Sequence, residues 1–292
     1  MPDRKYIGRF APTPSGPLHF GSLLAALTSY LDAKAHQGVW QVRIENLDPP
    51  RESITACQQF PFVLDAYGLH WDGEITYQSD RHDLYQNYLN RLVEKQLAFP
   101  CQCSRKQLDG LPHRGNCHCL ATEDIAWRFL CPNEQFNFVD RVQGPYCVKY
   151  NDLGDFILKR RDGFWAYQLA VVCDDIEQGI THVLRGVDLI DSCARQALLY
   201  NAFEHPLPTY AHIPVATEVD GQKLSKQNLA RPIETSKAAE TIYCALQWLR
   251  QNPPAELANN HTELLAWAVE HWNIDALKGW HEAPAPKAFQ RK

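Results

Sequence analysis

The sequence contains no apolar run that approaches the roughly 18 residues of a membrane span. Its opening residues, 1–6, lack the apolar stretch of a secretory signal. Basic residues are not in excess either, because 29 lysines and arginines stand against 34 acidic residues for a formal charge of −5. These absences predict a cytoplasmic chain with no membrane partner. They argue against a broadly basic surface for nonspecific nucleic-acid binding, although a local basic face can still bind RNA.

The chain does contain enough apolar material for a sizeable core. Apolar residues make up 45% and charged residues 22% of its 292 positions, which argues against disorder and low complexity. The length exceeds that of one small domain and falls short of three domains of usual size. The sequence has no internal repeat.

Four of the ten cysteines lie between positions 101 and 119. Cytosolic thiols stay reduced, so this cluster indicates a metal site rather than a disulfide framework. Zinc takes four nitrogen or sulfur ligands in a near-tetrahedral arrangement, and C-x-C with H-x₃-C supplies them as Cys101, Cys103, His113 and Cys117. We expect a structural zinc site. The alternative is a set of reduced surface thiols, and the other six cysteines are expected to be buried.

The spacing leaves the fourth zinc ligand open between His113, His118 and Cys119, with Cys131 as a more distant alternative. His113 fits best because it forms a second arm with a three-residue spacing to the next cysteine.

The N-terminal part alternates strand and helix patterns. A strand is predicted at 6–11, a proline-rich turn at 12–17, a helix from 21 to about 36 and a strand at 39–44. This βαβ order favours a parallel sheet with a right-handed crossover. Further helices are predicted at 54–67, 80–95, 188–203, 235–250 and 256–272, with a mobile tail at 283–292.

Residues 164–172 are predicted to form a strand or a buried segment. Asp174 and Asp175 follow this segment and are expected to cap the next turn, the alternative being a contact with metal or substrate.

The turn before the first helix has the composition of a phosphate site. It reads Arg9-Phe10-Ala11-Pro12-Thr13-Pro14-Ser15-Gly16-Pro17-Leu18-His19-Phe20-Gly21-Ser22. A helix start offers free N–H groups and a positive dipole end, Gly21 permits close approach and His19 can donate hydrogen bonds. The alternative is an ordinary N-cap with a surface histidine. The Walker A lysine and any G-x-G-x-x-G motif are missing, which argues against those nucleotide-binding classes.

A second basic feature follows much later, at Lys223-Leu224-Ser225-Lys226-Gln227. Two lysines three positions apart in a glycine-preceded loop can neutralise a triphosphate. Taken alone, such a loop is ordinarily solvated surface.

Together, the His-x-Gly-Ser helix start and the Lys-x-Ser-Lys loop resemble the two signatures of class I aminoacyl-tRNA synthetases. Further segments resemble the catalytic core of the glutamyl-tRNA synthetases, namely Arg9-Phe10-Ala11-Pro12, Arg43-Ile44-Glu45, Tyr167-x-Leu-Ala-Val-Val and Thr181-His182-Val183-Leu184-Arg185-Gly186. This resemblance implies an α/β fold with a class I, Rossmann-type parallel sheet, a zinc-bearing insertion and a short helical C-terminal segment. The expected catalytic halves are 1–98 and 164–230, the inserted subdomain with the zinc site is 99–163, and the helical segment and tail are 231–292.

The resemblance also implies residue roles. His19 and Lys226 are expected to be catalytic, and the ATP site is expected to comprise His19, Gly21, Ser22, Lys223 and Lys226. The expected glutamate site comprises Arg9, Phe10, Ala11, Pro12, Thr13, Glu45, Tyr167 and Arg185. Glutamate needs a cation for its side-chain carboxylate, from Arg9 or Arg185, and a carboxylate for its ammonium, from Glu45. Outside the family context, each arginine is typical of a surface ion pair and Tyr167 of a core aromatic.

The implied reaction joins the α-carboxylate of L-glutamate to the α-phosphorus of ATP, with Mg²⁺ bridging phosphates and pyrophosphate leaving. Only residues 227–292 follow Lys226, too few for the anticodon-binding region of a glutamyl-tRNA synthetase. The chain therefore resembles the truncated, tRNA-independent paralogues that attach glutamate to queuosine in the anticodon of tRNA-Asp, and we expect a monomer. The alternatives are a minimal enzyme that acylates the 3′ end of tRNA and a non-catalytic tRNA-binding paralogue.

Overall fold

A computed structural model describes residues 5–115, 123–224 and 230–291. Within these ranges the strands are β1 (Ile7–Phe10), β2 (Val39–Ile44), β3 (Thr76–Tyr77), β4 (Ala98–Cys101), β5 (Ala126–Phe129), β6 (Gln135–Asp140), β7 (Gly144–Lys149), β8 (Phe156–Lys159), β9 (His182–Gly186), β10 (Thr209–Ile213), β11 (Val215–Thr217) and β12 (Glu282–Pro284). The helices are α1 (Phe20–Ala35), α2 (Ile54–Ala66), α3 (His82–Glu94), α4 (Arg105–Leu108), α5 (Tyr150–Leu153), α6 (Tyr167–Glu177), α7 (Ser192–Ala202), α8 (Ala238–Trp248) and α9 (His261–Glu270).

A parallel sheet forms the centre of the fold. β1 pairs with β2 in parallel, Ile7 opposite Val39, and β2 continues in parallel to β3. β9 and β10 form a second parallel pair. Thr181 joins the two groups, because its N–H donates to the Ile7 carbonyl at 2.9 Å and its hydroxyl accepts from the Ile7 N–H at 2.8 Å. The predicted βαβ unit and parallel sheet are confirmed.

Helix α1 crosses from β1 to β2 with its leucines in the core. Leu23, Leu24, Leu27 and Leu31 are fully or almost fully buried, in one apolar cluster with side chains of β2, α8 and α9. A second cluster lies around α3, α6 and α7. The second cluster also includes Ala98 of β4, Phe129 of β5 and Leu158 of β8, so it packs these helices against the antiparallel strands.

Between α3 and α6 the chain forms small antiparallel sheets. β5 lies between β4 and β8, and β6 pairs with β7 as a hairpin. The predicted zinc ligands Cys101 and Cys103 lie at the end of β4 and just after it. Of the six cysteines expected to be buried, only Cys173 and Cys193 are. Cys147 on β7 is exposed, and the other three are partly buried, namely Cys57, Cys131 and Cys244.

Of the two alternatives predicted for 164–172, the strand is wrong because the apolar run belongs to helix α6, and the buried segment is confirmed for 169–172. Leu169, Ala170, Val171, Val172 and Cys173 are all buried. A helix buried on every side loses the 3.6-residue periodicity that distinguishes it from a strand, and its valines then favour the strand interpretation.

The predicted capping role of Asp174 and Asp175 is also wrong. Both residues lie inside α6 and are 0% and 3% exposed. They cannot cap a turn from within a helix, and their partners belong to the site described below.

The tail predicted to be mobile is packed. β12 pairs in parallel with β11, and the ring of Phe289 stacks on Phe20 at 4.4 Å between centroids. Arg291 forms an ion pair with the nearly buried Glu218 at 3.2 Å. Local composition gave no sign of these long-range contacts. In the described part of the chain, no helix is both long and apolar enough to cross a membrane.

Candidate active site

A cavity of about 380 Å³ opens at the carboxyl ends of β1, β2 and β9. This edge is where open parallel sheets bind ligands. The predicted residues that line it are Arg9, Phe10, Ala11, Pro12, Thr13, His19, Gly21, Ser22, Glu45, Tyr167, Arg185 and Lys223. The structure thus brings together every predicted ATP and glutamate residue except Lys226, which lies outside the described residues.

The start of α1 forms one wall of the cavity. His19 is the N-cap, and its ring Nδ1 accepts the Ser22 N–H at 3.4 Å while the Ser22 hydroxyl accepts the His19 N–H at 2.7 Å. A Cβ on Gly21 would lie 3.1 Å from the His19 ring, so a glycine there keeps the ring in place. His19 is only 8% exposed, unlike the surface histidine of the alternative interpretation.

Buried charges form the floor below β1 and β2. Arg9 Nε and Arg43 NH1 both donate to Asp175 Oδ1, at 3.2 and 2.7 Å. Arg43 also reaches Asp174 and Glu45, at 3.7 and 3.4 Å. Burial opposes ionisation of Asp175, but Arg9 and Arg43 outweigh it and hold the pKa of that carboxyl below its ordinary value.

Asp174 points to the other side of α6. It accepts hydrogen bonds from Gln78 Nε2 at 2.7 Å, Arg81 Nε at 2.6 Å and Tyr85 OH at 2.9 Å. These contacts tie α6 to α3 and to the turn before it. Asp174 therefore supports the floor without lining the cavity.

Glu45 follows β2 and lines the cavity with a desolvated carboxyl group. Its N–H donates to the Pro12 carbonyl at 3.0 Å, which fixes the proline turn against β2. Burial raises the pKa of Glu45 above its ordinary value, against the opposing effect of Arg43 and Arg9. A ligand cation would therefore interact strongly with this carboxylate.

Arg185 is the buried cation on the opposite strand pair. It donates to His212 Nε2 at 3.0 Å, to Tyr167 OH at 3.2 Å and to Cys193 Sγ at 3.2 Å. Among the described residues it makes no salt bridge, whereas Arg9 is paired with Asp175. Its charge is therefore available to a carboxylate ligand. Of the two arginines expected to provide the cation for such a ligand, Arg185 fits this role better than Arg9.

Lys223 reaches the cavity rim from the loop after β11. Its Nζ donates to Asp188 Oδ2 at 2.5 Å. Because the side chain is about half exposed, it can turn toward a polyphosphate at the rim.

A second cavity, of about 890 Å³, shares Thr13, Glu45 and Tyr167 with the first. It lies against the insertion, and basic and aromatic side chains line it, namely Arg51, Arg128, Arg160, Arg161 and Trp165. Acidic neighbours balance part of this charge, since Arg160 pairs with Asp162 at 2.5 Å. The two cavities therefore meet at Thr13, Glu45 and Tyr167.

Cys101, Cys103 and His113 bring their ligand atoms within 4.8 Å of one another. The distance from Cys101 Sγ to His113 Nε2 is 3.4 Å, close to the edge of about 3.5 Å expected for a tetrahedral zinc site. The other ring nitrogen, Nδ1, lies 2.8 Å from Asp155 Oδ2, which leaves Nε2 free to bind metal. These three residues fit zinc, with His113 as the histidine ligand, and Cys117, His118 and Cys119 lie outside the described residues.

Cys131 does not join this cluster. Its Sγ donates to the Gly154 carbonyl at 3.0 Å, and burial raises its pKa to about 12. Among the described residues, the ligand atoms that lie together are those of Cys101, Cys103 and His113, which argues against this alternative.

The sequence interpretation assigned Asp174 and Asp175 to capping, with a metal or substrate contact as the alternative, and it did not single out His212. The pair Asp174 and Asp175 has a signal, because two carboxylates after a wholly apolar segment need buried partners. His212 has none, since a lone histidine in a strand is ordinary.

The sequence of this chain is similar to those of a known family and its members. Residues 6–251 match the family model of the class I tRNA synthetases (E and Q), catalytic domain. A glutamyl-Q tRNA(Asp) synthetase from Pseudomonas fluorescens is 48% identical over 275 residues, which cover 92% of this chain and 92% of that protein. The protein of the same name from Neisseria meningitidis serogroup B is 44% identical over 296 residues, covering 96% of this chain and 100% of that one.

Solved structures share the fold. The glutamate-tRNA synthetase of Elizabethkingia anophelis superposes with a TM-score of 0.80 at 24% identity, covering 98% of this chain and 69% of that one. A glutamate tRNA ligase of Elizabethkingia meningosepticum, in complex with its amino acid, gives a TM-score of 0.79 at 24% identity, covering 98% of this chain and 68% of that one.

Proposed function

The chain belongs to the class I tRNA synthetases for glutamate and glutamine, alongside the glutamyl-Q tRNA(Asp) synthetases, and we propose that it activates L-glutamate with ATP without tRNA. In a second step it transfers the glutamyl group from the adenylate to a hydroxyl of queuosine in the anticodon of tRNA-Asp, as the carboxyl–phosphoryl bond breaks and AMP leaves. The names of its relatives support this acceptor. The observation that carries glutamate activation is a cavity with a buried cation, Arg185, and a buried carboxylate, Glu45.

The two charges suit the two ends of glutamate. Arg185 receives the side-chain carboxylate, because its charge has no carboxylate partner among the described residues. Glu45 receives the ammonium group, and Tyr167 adds a hydroxyl beside Arg185. Arg9 is already paired with Asp175, so it contributes hydrogen-bond donors more than net charge.

The chemistry is a displacement at phosphorus. The α-carboxylate oxygen attacks the α-phosphorus of ATP, a carboxyl–phosphoryl bond forms, and the bond to pyrophosphate breaks as pyrophosphate leaves. A carboxylate is ionised at neutral pH, so no side chain has to remove a proton from the nucleophile. The protein's contribution is positioning and stabilisation of phosphate charge.

The start of α1 supplies the phosphate-facing groups. His19, Gly21 and Ser22 line the cavity at a positive helix end, and Lys223 reaches its rim. Lys226 belongs to the same loop by sequence and is assigned to the leaving phosphates by family resemblance. Mg²⁺ bound to ATP would neutralise further phosphate charge.

Zinc bound by Cys101, Cys103 and His113, with Cys117 as the fourth ligand, would fasten the insertion. The metal has a structural role in this proposal. The insertion forms part of the second cavity, where the arginines that line it suit phosphate contacts with an RNA loop. The acting unit is a cytoplasmic monomer.

Glutamate-dependent exchange between pyrophosphate and ATP, measured without tRNA, tests the activation step. The wild-type chain should exchange label with glutamate and not with glutamine. Lys226→Ala should abolish exchange while the unfolding temperature stays unchanged, and Lys278→Ala is a matched control on an exposed lysine. No exchange by the wild type in the absence of any tRNA would refute tRNA-independent activation, and normal exchange by Lys226→Ala would refute the role of that lysine.

A further inference from the structure

Arg185 lies at the cavity end of a series of hydrogen bonds that leads away from the cavity. Arg185 and His212 stand opposite each other on the parallel strands β9 and β10. Arg185 Nε donates to His212 Nε2 at 3.0 Å, and His212 Nδ1 lies 2.6 Å from Asp140 Oδ2. His212 is fully buried and Asp140 is 2% exposed, so neither reaches solvent or the substrate.

The two carboxylate oxygens of Asp140 accept hydrogen bonds from different partners. Oδ1 accepts three backbone N–H groups, those of Val142 at 2.9 Å, Gln143 at 2.9 Å and His212 at 3.0 Å. Oδ2 is left to accept the ring proton of His212. Burial opposes ionisation, but these hydrogen bonds hold the pKa of Asp140 below its ordinary value, so the group is a carboxylate at neutral pH.

The carboxylate fixes the tautomer of His212. With the ring proton on Nδ1, Nε2 carries a lone pair that can accept the Arg185 Nε–H. Burial, reinforced by the Arg185 charge, lowers the pKa of His212 despite Asp140, which keeps the ring neutral. The Arg185 Nε–H therefore has a neutral hydrogen-bond acceptor, and no neighbouring carboxylate at this contact compensates the positive charge of Arg185.

We propose that His212, held in one tautomer by Asp140, is a positioning residue that orients the Arg185 guanidinium toward a substrate carboxylate and so selects glutamate over glutamine. Three of the five guanidinium N–H groups are taken by His212, Tyr167 and Cys193. One N–H on each terminal nitrogen is left for a ligand, a geometry that fits a carboxylate and not an amide, whose NH₂ would face a donor. This inference rests on the proposed function, since it concerns the same glutamate site.

Asp140→Asn tests the tautomer directly. The asparagine oxygen should lie where the three backbone N–H groups converge, so its NH₂ faces His212 Nδ1. The ring proton then moves to Nε2 and opposes the Arg185 Nε–H. We expect the KM for glutamate in the exchange assay to rise roughly tenfold to a hundredfold, the cost of a mismatched hydrogen bond to a buried charge. The KM for ATP should stay unchanged, and discrimination against glutamine should fall.

A matched pair of variants isolates the contact with Arg185. The side-chain oxygen of His212→Gln can reach Arg185 Nε, whereas His212→Asn can satisfy Asp140 but is too short to reach Arg185. The glutamine variant should retain more glutamate affinity and more discrimination than the asparagine variant. Equal losses in both would overturn the proposal.

Glutamate binding measured by calorimetry without ATP separates the inference from the proposed function. A wild type that binds glutamate but does not exchange refutes the activation chemistry, while its variants still test the positioning role. Wild-type glutamate affinity in Asp140→Asn overturns the positioning role, as does a parallel loss of glutamate and ATP affinity, which would indicate a structural defect. A wild type that binds no glutamate overturns both.

Discussion

One carboxylate, Asp175, balances two buried guanidinium groups below the central cavity. Arg9 and Arg43 both donate to its Oδ1, and both are at most 3% exposed. Removing the shared anion takes away the carboxylate partner of Arg9 and leaves Arg43 with its longer contacts to Asp174 and Glu45, which costs far more than losing a surface ion pair. At the residue scale, Asp175 is therefore the structural centre of the proposed glutamate site.

Asp175→Asn should lower the free energy of unfolding by about 3–5 kcal/mol, because uncompensated buried charge is left behind. Denaturant unfolding followed by circular dichroism measures the change. Asp65→Asn is the matched control, since Asp65 is 70% exposed and should change stability by less than about 0.5 kcal/mol. Similar stability in the two variants would contradict the assigned role of Asp175.

Glu45→Gln should behave in the opposite way and stabilise the free protein at neutral pH. Because the folded pKa of Glu45 is raised by burial, the folded chain keeps a proton that the unfolded chain has already lost. Wild-type stability therefore falls as pH rises through that window, and above it the wild type carries a constant cost that glutamine lacks.

Thermal unfolding of Glu45→Gln and wild type from pH 4 to pH 8 measures this difference. The advantage of the variant should grow with pH and then level off, while its glutamate-dependent exchange is lost. Glu94→Gln, on an exposed glutamate at the end of α3, should show neither effect. A variant less stable than the wild type at pH 7 would contradict the inference that burial of the ionised Glu45 carboxylate destabilises the folded protein.

The sequence correctly predicted which residues lie close together where those residues belong to a motif. Arg9, Glu45, Tyr167 and Arg185 were expected in one site and do line one cavity. Their pairings could not be predicted, because each pairing joins distant segments of the chain. Arg9 meets Asp175 across 166 positions.

At the scale of elements, the C-terminal tail is part of the fold. β12 extends β11, whose Val215 and Ala216 line the central cavity. Phe289 stacks on Phe20, the first residue of α1. The tail thus braces the wall that carries His19.

Phe289→Ala should cost about 2 kcal/mol of unfolding free energy, from lost apolar burial and one aromatic pair. Phe62→Ala is the matched control, because Phe62 is 75% exposed on α2. Denaturant midpoints for both variants measure the difference. Equal midpoints would mean that the tail is not packed as described.

The candidate zinc cluster, Cys101, Cys103 and His113, lies in the insertion between α3 and α6. Asp155 Oδ2 accepts from His113 Nδ1 and from the Gly115 N–H, and Oδ1 accepts the Cys131 N–H. An amide cannot accept at both ends, so Asp155→Asn should weaken zinc binding by roughly tenfold to a hundredfold. Competition with a chromophoric chelator measures the affinity.

The exposed neighbour Asp152→Asn should bind zinc like the wild type. Wild-type affinity in Asp155→Asn would show that the carboxylate does not support His113. A wild-type chain purified without zinc, and unable to take it up, would refute the metal site itself.

Elements were predictable where one face is apolar and the other is polar. Helix α3 alternates in this way and was expected at 80–95, close to the observed His82–Glu94. Helix α6 is buried on nearly all sides, so its pattern could not be told from that of a strand. Similarly, β12 is three residues of Glu-Ala-Pro whose strand pairing depends entirely on β11.

At the scale of the whole molecule, the acidic balance of −5 coexists with a local cluster of arginines around the second cavity. That cavity meets the first at Thr13, Glu45 and Tyr167. In the proposed function, glutamate is activated in the first cavity and the RNA acceptor enters through the second. The proposed function requires both.

Transfer of labelled glutamate to two forms of tRNA-Asp tests this function most directly. The purified chain is incubated with ATP, labelled glutamate and tRNA-Asp that either contains queuosine or comes from cells unable to make it. We expect label only on the queuosine-containing tRNA, with nuclease digestion mapping it to the anticodon loop. Equal labelling of both tRNAs, or label at the 3′ end, would contradict the account.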